Sequence, residues 1–162
     1  MKKLLLAMAL LVAISTSVKG QEIFKEVNSI LGKMETLKFD KSKPLQDRKI
    51  ATFKYDAIYY LLYEGSKHDT FTEYDLGVQT SAMLDFVTIF VEQLSKETKK
   101  SKREVVLALF KKLSLENSLF QDQDKELVWG YVDNNDFLTQ FSLDTDWTKA
   151  LEAAQKIYKP AQ

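Results

Sequence analysis

Ser81-Ala82-Met83-Leu84-Asp85-Phe86-Val87-Thr88-Ile89-Phe90-Val91-Glu92-Gln93-Leu94 is the most informative run of this 162-residue chain. Met83, Phe86, Val87, Phe90 and Leu94 recur every three or four residues, the period of one face of an α-helix. Ser81, Asp85, Thr88 and Glu92 mark a thin polar stripe on the opposite side. A strand would alternate polar and apolar residues every second position, and this run does not. The spacing therefore predicts a largely buried helix running to about Glu97, with Thr70 and Glu73 at capping-box separation before it.

The same period continues in both directions. Towards the N-terminus, Ile50, Phe53, Ala57 and Leu61 form one stripe, with Ile58 and Leu62 beside it. This predicts a helix from Pro44, in the first turn, to about Glu64, with Gly65 as a left-handed stop. Its broad apolar surface suggests the central helix of the fold. Ile23, Val27, Ile30, Leu31, Met34 and Leu37 predict another helix over 22–38. Towards the C-terminus, Ser101 and Glu104 repeat the capping-box spacing ahead of Val105, Val106, Leu109, Phe110 and Leu113, a helix reaching towards Phe120. A last helix, capped by Asp144 or Thr145, carries Trp147, Ala150, Leu151, Ala154 and Ile157 and ends at Pro160. Residues 121–143 are harder to read. Leu127, Val128, Tyr131 and Val132 have helical spacing, yet Asp133 to Asp136 could turn a short hairpin within 127–143; the helix is favoured.

Together these stretches give an all-α, single-domain bundle of five or six helices. Composition agrees: Gly is 5 and Pro 2, about 4% of the chain against a usual ~12%, too few punctuators for an all-β fold.

Ahead of the domain, Met1-Lys2-Lys3, the apolar run Leu4 to Ile14 and the small polar segment Ser15 to Gly20 have the layout of a secretory signal peptide. Residues 1–20 are expected to be cut before Gln21, leaving 21–162 as the mature domain in the periplasm or outside the cell. An apolar run of eleven residues is too short to cross a ~30 Å hydrocarbon core, so no stable membrane insertion is expected after cleavage. The whole chain balances 23 basic against 23 acidic residues; loss of Lys2, Lys3 and Lys19 leaves a net charge of −3. That charge gives no footprint for nucleic acid.

The inventory is poor in catalytic parts. There is no Cys, and the single His68 lies in a polar loop beside Lys67 and Asp69. Neither a Ser–His–Asp arrangement nor a catalytic zinc site can be assembled from one loop imidazole. No Gly-rich phosphate loop occurs. Asp122, Asp124, Glu126 and Asp133 match four positions of a calcium loop, but Leu127 stands where the sharp turn needs Gly. No metal, cofactor or catalytic residue is assigned. The basic run from Lys96 to Arg103 is bracketed by Glu97 and Glu104 and reads as a solvated connection.

One face stands out. Arg48, Thr52, Tyr55, Asp56, Tyr59 and Tyr63 fall within about 100° of one another on the second helix, away from its core stripe. Tyrosines present an apolar ring and a hydrogen-bonding tip, as partner surfaces do. The expected function is a non-catalytic binding or interaction module whose partner is a protein or a small ligand. The alternatives are a hydrolase using two carboxylates, and an envelope structural or stress protein without a small ligand.

Overall fold

The computed structural model describes residues 22–65, 67, 72–116 and 140–158. They form five helices: α1 (22–39), α2 (Leu45–Gly65), α3 (Glu73–Lys96), α4 (Lys100–Leu115) and α5 (Trp147–Ile157). No strand occurs among the described residues. The fold is thus the expected all-α bundle. The leader, Thr70, His68, the calcium-spaced acids and Pro160 lie outside the described residues. So does the helix-or-hairpin segment, except for 140–143, which are neither helix nor strand.

The central element is α3, not α2 as the width of the α2 stripe suggests. It packs against α2, α4 and α5. It buries Leu76, Met83, Phe86, Val87, Phe90 and Leu94 on one broad face, while its polar stripe is exposed. Phe53 of α2, Phe86 and Phe90 of α3, Phe110 of α4 and the two late residues Phe141 and Trp147 meet in one cluster, each at most 1% exposed. Their rings meet mostly edge to face. Phe90 and Phe141 lie 4.9 Å apart at 86°, and Phe86 and Trp147 lie 5.6 Å apart at 61°. That arrangement sets the positive edge of one ring on the negative face of the next.

Helix starts differ from the expected ones for identifiable reasons. Thr72, not Thr70, caps α3: its hydroxyl accepts from the Asp75 amide at 3.2 Å, and the Asp75 carboxylate accepts from the Thr72 amide at 2.9 Å. Thr70/Glu73 and Thr72/Asp75 share one spacing, so spacing alone cannot choose between them. Lys99 opens α4 without a side-chain cap, and the Ser101/Glu104 pair is not used. The Arg103 guanidinium instead donates to the Leu94 and Glu97 carbonyls at 3.0 and 3.4 Å, tying the first turn of α4 to the end of α3. Asp146, rather than Asp144 or Thr145, caps α5. Gly65 closes α2 with an ordinary negative φ and is no left-handed stop. Val105 and Ile157, expected on core faces, are 68% and 52% exposed: Ile157 is the last residue of α5, whereas Val105 stands in the second turn of α4, where Val106 and Leu107 are the buried residues.

A polar seam joins α5 to the centre. The Gln79 side chain is buried; its Oε1 accepts from the Trp147 amide at 2.7 Å, and its Nε2 donates to Asp146 Oδ1 at 3.3 Å. Asp146 also takes bonds from the Thr148 hydroxyl and the Lys149 amide. Burial pushes its carboxyl up, but the bonds from Thr148, Lys149 and Gln79 together outweigh this and hold it below the usual range. The Thr145 hydroxyl reaches the Ser114 and Ser142 carbonyls at 2.9 and 2.8 Å. A non-helical segment is thus pinned between α3 and α4, its backbone groups met by side chains.

The first helix lies along α3. At Gly77 a Cβ would overlap Ile23 Cγ2, so the glycine permits the close approach.

Candidate functional site

The α2 face is assembled from three parts of the chain. Asp40 accepts from the amide and hydroxyl of Ser42 at 2.9 and 2.6 Å and holds the turn between α1 and α2. These bonds lower its carboxyl from the ordinary value. Arg48 Nε donates to the Lys38 carbonyl at 3.3 Å, fastening the end of α1 to the first turns of α2. The end of α1 therefore delivers Lys38 and Phe39 to the tyrosine face.

Lys38 Nζ lies 3.6 Å from the Tyr55 ring centroid and 5.0 Å from that of Phe39. The Tyr55 and Tyr59 rings stack, 6.2 Å apart and 11° from parallel. One turn further on, Lys67 Nζ lies 3.8 Å from the Tyr63 ring. The result is a column along one helix face: Lys38, Tyr55, Tyr59, Tyr63, Lys67. Its tyrosines span eight residues, about 12 Å of helix. Each terminal tyrosine sits under an ammonium, the arrangement that the ring quadrupole favours. Tyr59 and Tyr63 are 58% and 52% exposed, and Phe39 is 70% exposed. Tyr55 and Asp56 are half-buried beneath them.

Electrostatics follow from this packing. Burial raises the Asp56 carboxyl, and Lys38 partly offsets the rise. Partial burial also raises the Tyr55 phenol, helped by the negative charges of Glu35 and Asp56. Both groups hold their protons more firmly than they would in water.

Of the six residues marked by sequence, three stand in the column, Tyr55, Tyr59 and Tyr63, and a fourth, Asp56, is half-buried next to it in the sequence and feels the charge of Lys38. The other two serve the fold. Arg48 caps α1, and the Thr52 hydroxyl donates to the Arg48 carbonyl of its own helix at 2.9 Å. Lys38, Phe39 and Lys67 escaped the sequence reading. Lys67 had only a weak signal, a cation four residues after Tyr63 and just beyond the end of α2. Lys38 and Phe39 had none, because periodicity does not say which neighbour lies over a face.

The rest of the surface adds little chemistry. In the basic connection, Lys102 pairs with Glu97 at 3.8 Å and Lys100 with Glu104 at 3.9 Å. Among the described residues no three His, Asp or Glu side chains converge as a metal site. None of the described helices is long and apolar enough to cross a membrane. No protein-family model, no characterised protein and no solved structure matches the chain.

Proposed function

We propose that the chain is an exported, non-catalytic binding module of the periplasm or cell exterior, and that the column on α2 is the surface that meets its partner. The observation carrying this reading is that large aromatic side chains stand open to solvent while the core is fully supplied with others. Exposed Tyr and Phe side chains clustered on one face are the composition of interface cores. Their rings are held by Lys38, Lys67 and one another, so little rotamer freedom remains to be lost on association. A single helix face is convex, which suits a protein surface better than a small molecule. The export part of the proposal rests on the leader-like first twenty residues.

Site-specific photocrosslinking in cells tests both parts. A photoreactive residue placed at Tyr59 should give a discrete adduct with a second protein. The same residue at Asp85, on the exposed stripe of α3, should not. Equal labelling at both positions would sink the proposed surface. An intact mass of the crosslinked chain that includes residues 1–20 would sink the export reading.

A further inference from the structure

We infer that the first half of α1, residues 22–31, is a hinged strap that lifts as a unit while α2 to α5 stay folded. Of the eighteen residues of α1 only Val27 is buried, whereas α3 buries nine. An element that buries so little apolar surface opens at a free energy well below that of global unfolding. Two grooves adjoin the strap. One of about 280 Å³ is lined by Ile23, Val27 and Ile30 together with α3, and one of about 310 Å³ is lined by Phe24 together with Leu61 and Leu76. Lifting the strap joins the two into one apolar trough on α2 and α3.

The two halves of α1 are held differently. Arg48 Nε reaches the Lys38 carbonyl and Lys38 lies over Tyr55, so the second half is fastened to α2. Among the described residues no hydrogen bond or ion pair ties 22–31 to another helix. The Asn28 side chain donates to the Phe24 carbonyl at 2.9 Å, within α1 itself.

Two glycines complete the device. Gly32 separates the halves, and a Cβ there would meet nothing within 4 Å. Packing therefore does not require a glycine at this point, yet a glycine inside a helix weakens it through backbone entropy. The Gly32 carbonyl also accepts from the Thr36 hydroxyl at 3.0 Å, a bond of the kind that bends helices. Both features make this the hinge. Gly77 is the latch, since only a residue without Cβ lets Ile23 seat against α3. Neither glycine touches the α2 column, so the strap stands or falls separately from that surface.

Native-state hydrogen exchange of the full chain at low denaturant tests the strap. Amides 26–31 should share one opening free energy that falls with denaturant, and should exchange at least about a hundredfold faster than those of Phe86 and Phe90. Gly32→Ala, which stiffens the hinge, should slow amides 26–31 about fivefold. Gly77→Ala, which pushes Ile23 out of its seat, should speed them about tenfold, with protection in α3 and α5 unchanged. Thiol labelling gives a second reading. The chain has no Cys, so Val27→Cys supplies a single thiol, buried while the strap is closed. Its reaction with a disulfide reagent should slow in the Gly32→Ala background and quicken in the Gly77→Ala background. Graded exchange along 26–31 without denaturant dependence would reduce the strap to fraying and overturn the proposal. Exchange of 26–31 only through global unfolding overturns it too, as does an effect of Gly77→Ala spread evenly over all helices.

Discussion

Phe53 and Tyr55 stand two residues apart on α2, about 200° around the helix, and their surroundings differ in every respect. Phe53 is fully buried; its ring meets Phe141 at 5.4 Å and 72° and Trp147 at 6.1 Å and 78°. Tyr55 lies under a lysine and parallel to Tyr59. Inside, no cation can be afforded next to a ring face, so ring edges supply the positive charge. Outside, lysine ammonium groups take that place, their charge still solvated. One helix thus carries two aromatic systems with separate tasks, one joining the bundle and one open to a partner.

The comparison breaks most readily at Trp147. It is fully buried at the start of α5, in contact with rings from α2 and α3. Trp147→Ala should cost about 4 kcal/mol through lost burial and the cavity left behind. Chemical denaturation reads this directly, and a loss under about 2 kcal/mol would mean that α5 is not part of the cooperative core.

Gln79 comes next. Gln79→Leu keeps the volume but leaves the Trp147 amide without its acceptor and removes one donor from Asp146. Stability should fall by about 2 kcal/mol, the cost of an unpaired buried donor. Hydrogen exchange should quicken first at the start of α5. Uniform loss of protection across all helices would contradict a local seam.

The helical face patterns were legible in the sequence because burial imposes period 3.6, and Phe86, Phe90 and Phe110 fall where that period puts them. Residues such as Gln79 and Ser114 were not. A buried glutamine in a helix is indistinguishable by sequence from a surface one until its partners, 67 and 68 residues away, are known. Phe141 was also beyond reach, since 140–146 buries residues without a regular period. Tyr60 shows a further limit: it lies between Tyr59 and Leu61 and is 1% exposed, while Tyr59 is open. In the candidate site the tyrosine spacing was visible, whereas the lysine that covers Tyr55 arrives from another helix.

Two aspartates extend the comparison to pH. Asp146 is held below the ordinary carboxyl range, so the folded state prefers its anion. The stability this gives is present above the unfolded pKa, about pH 4, and is lost as pH falls through the lower folded value. Asp56 is raised by burial, so its charged form costs the folded state stability above the folded pKa, and that cost is relieved as pH falls. Asp146→Ala should therefore cost about 1 kcal/mol at pH 7, as loss of a helix cap does, and should flatten the acid limb of the stability curve. Asp56→Asn should leave stability at pH 7 unchanged or slightly raised. Denaturation midpoints at pH 3, 5 and 7 measure both. Parallel behaviour of the two variants would show that the inner and outer acids are not differently placed.

The smallest effect on stability is expected at Tyr59, and there the two aromatic systems separate most sharply. Tyr59 is 58% exposed, so truncation opens no cavity, and the transfer term that dominates at Trp147 is largely absent. Its stacking on Tyr55 is worth about 0.5–1 kcal/mol. Alanine is the better helix former by about half a kcal/mol, which returns much of that loss. The net cost of Tyr59→Ala should be about 0.5 kcal/mol or less, roughly an eighth of the cost at Trp147. The same substitution removes the middle ring of the column, between the two lysine-covered ones. If the column is an interface, such a central aromatic is where binding energy concentrates, and its loss should weaken partner association by 2 kcal/mol or more, about thirtyfold. A variant folded as the parent yet unable to bind is the expected outcome. If denaturation instead shows a loss near 4 kcal/mol, Tyr59 belongs to the interior system; if association is unchanged, the open face serves some other end.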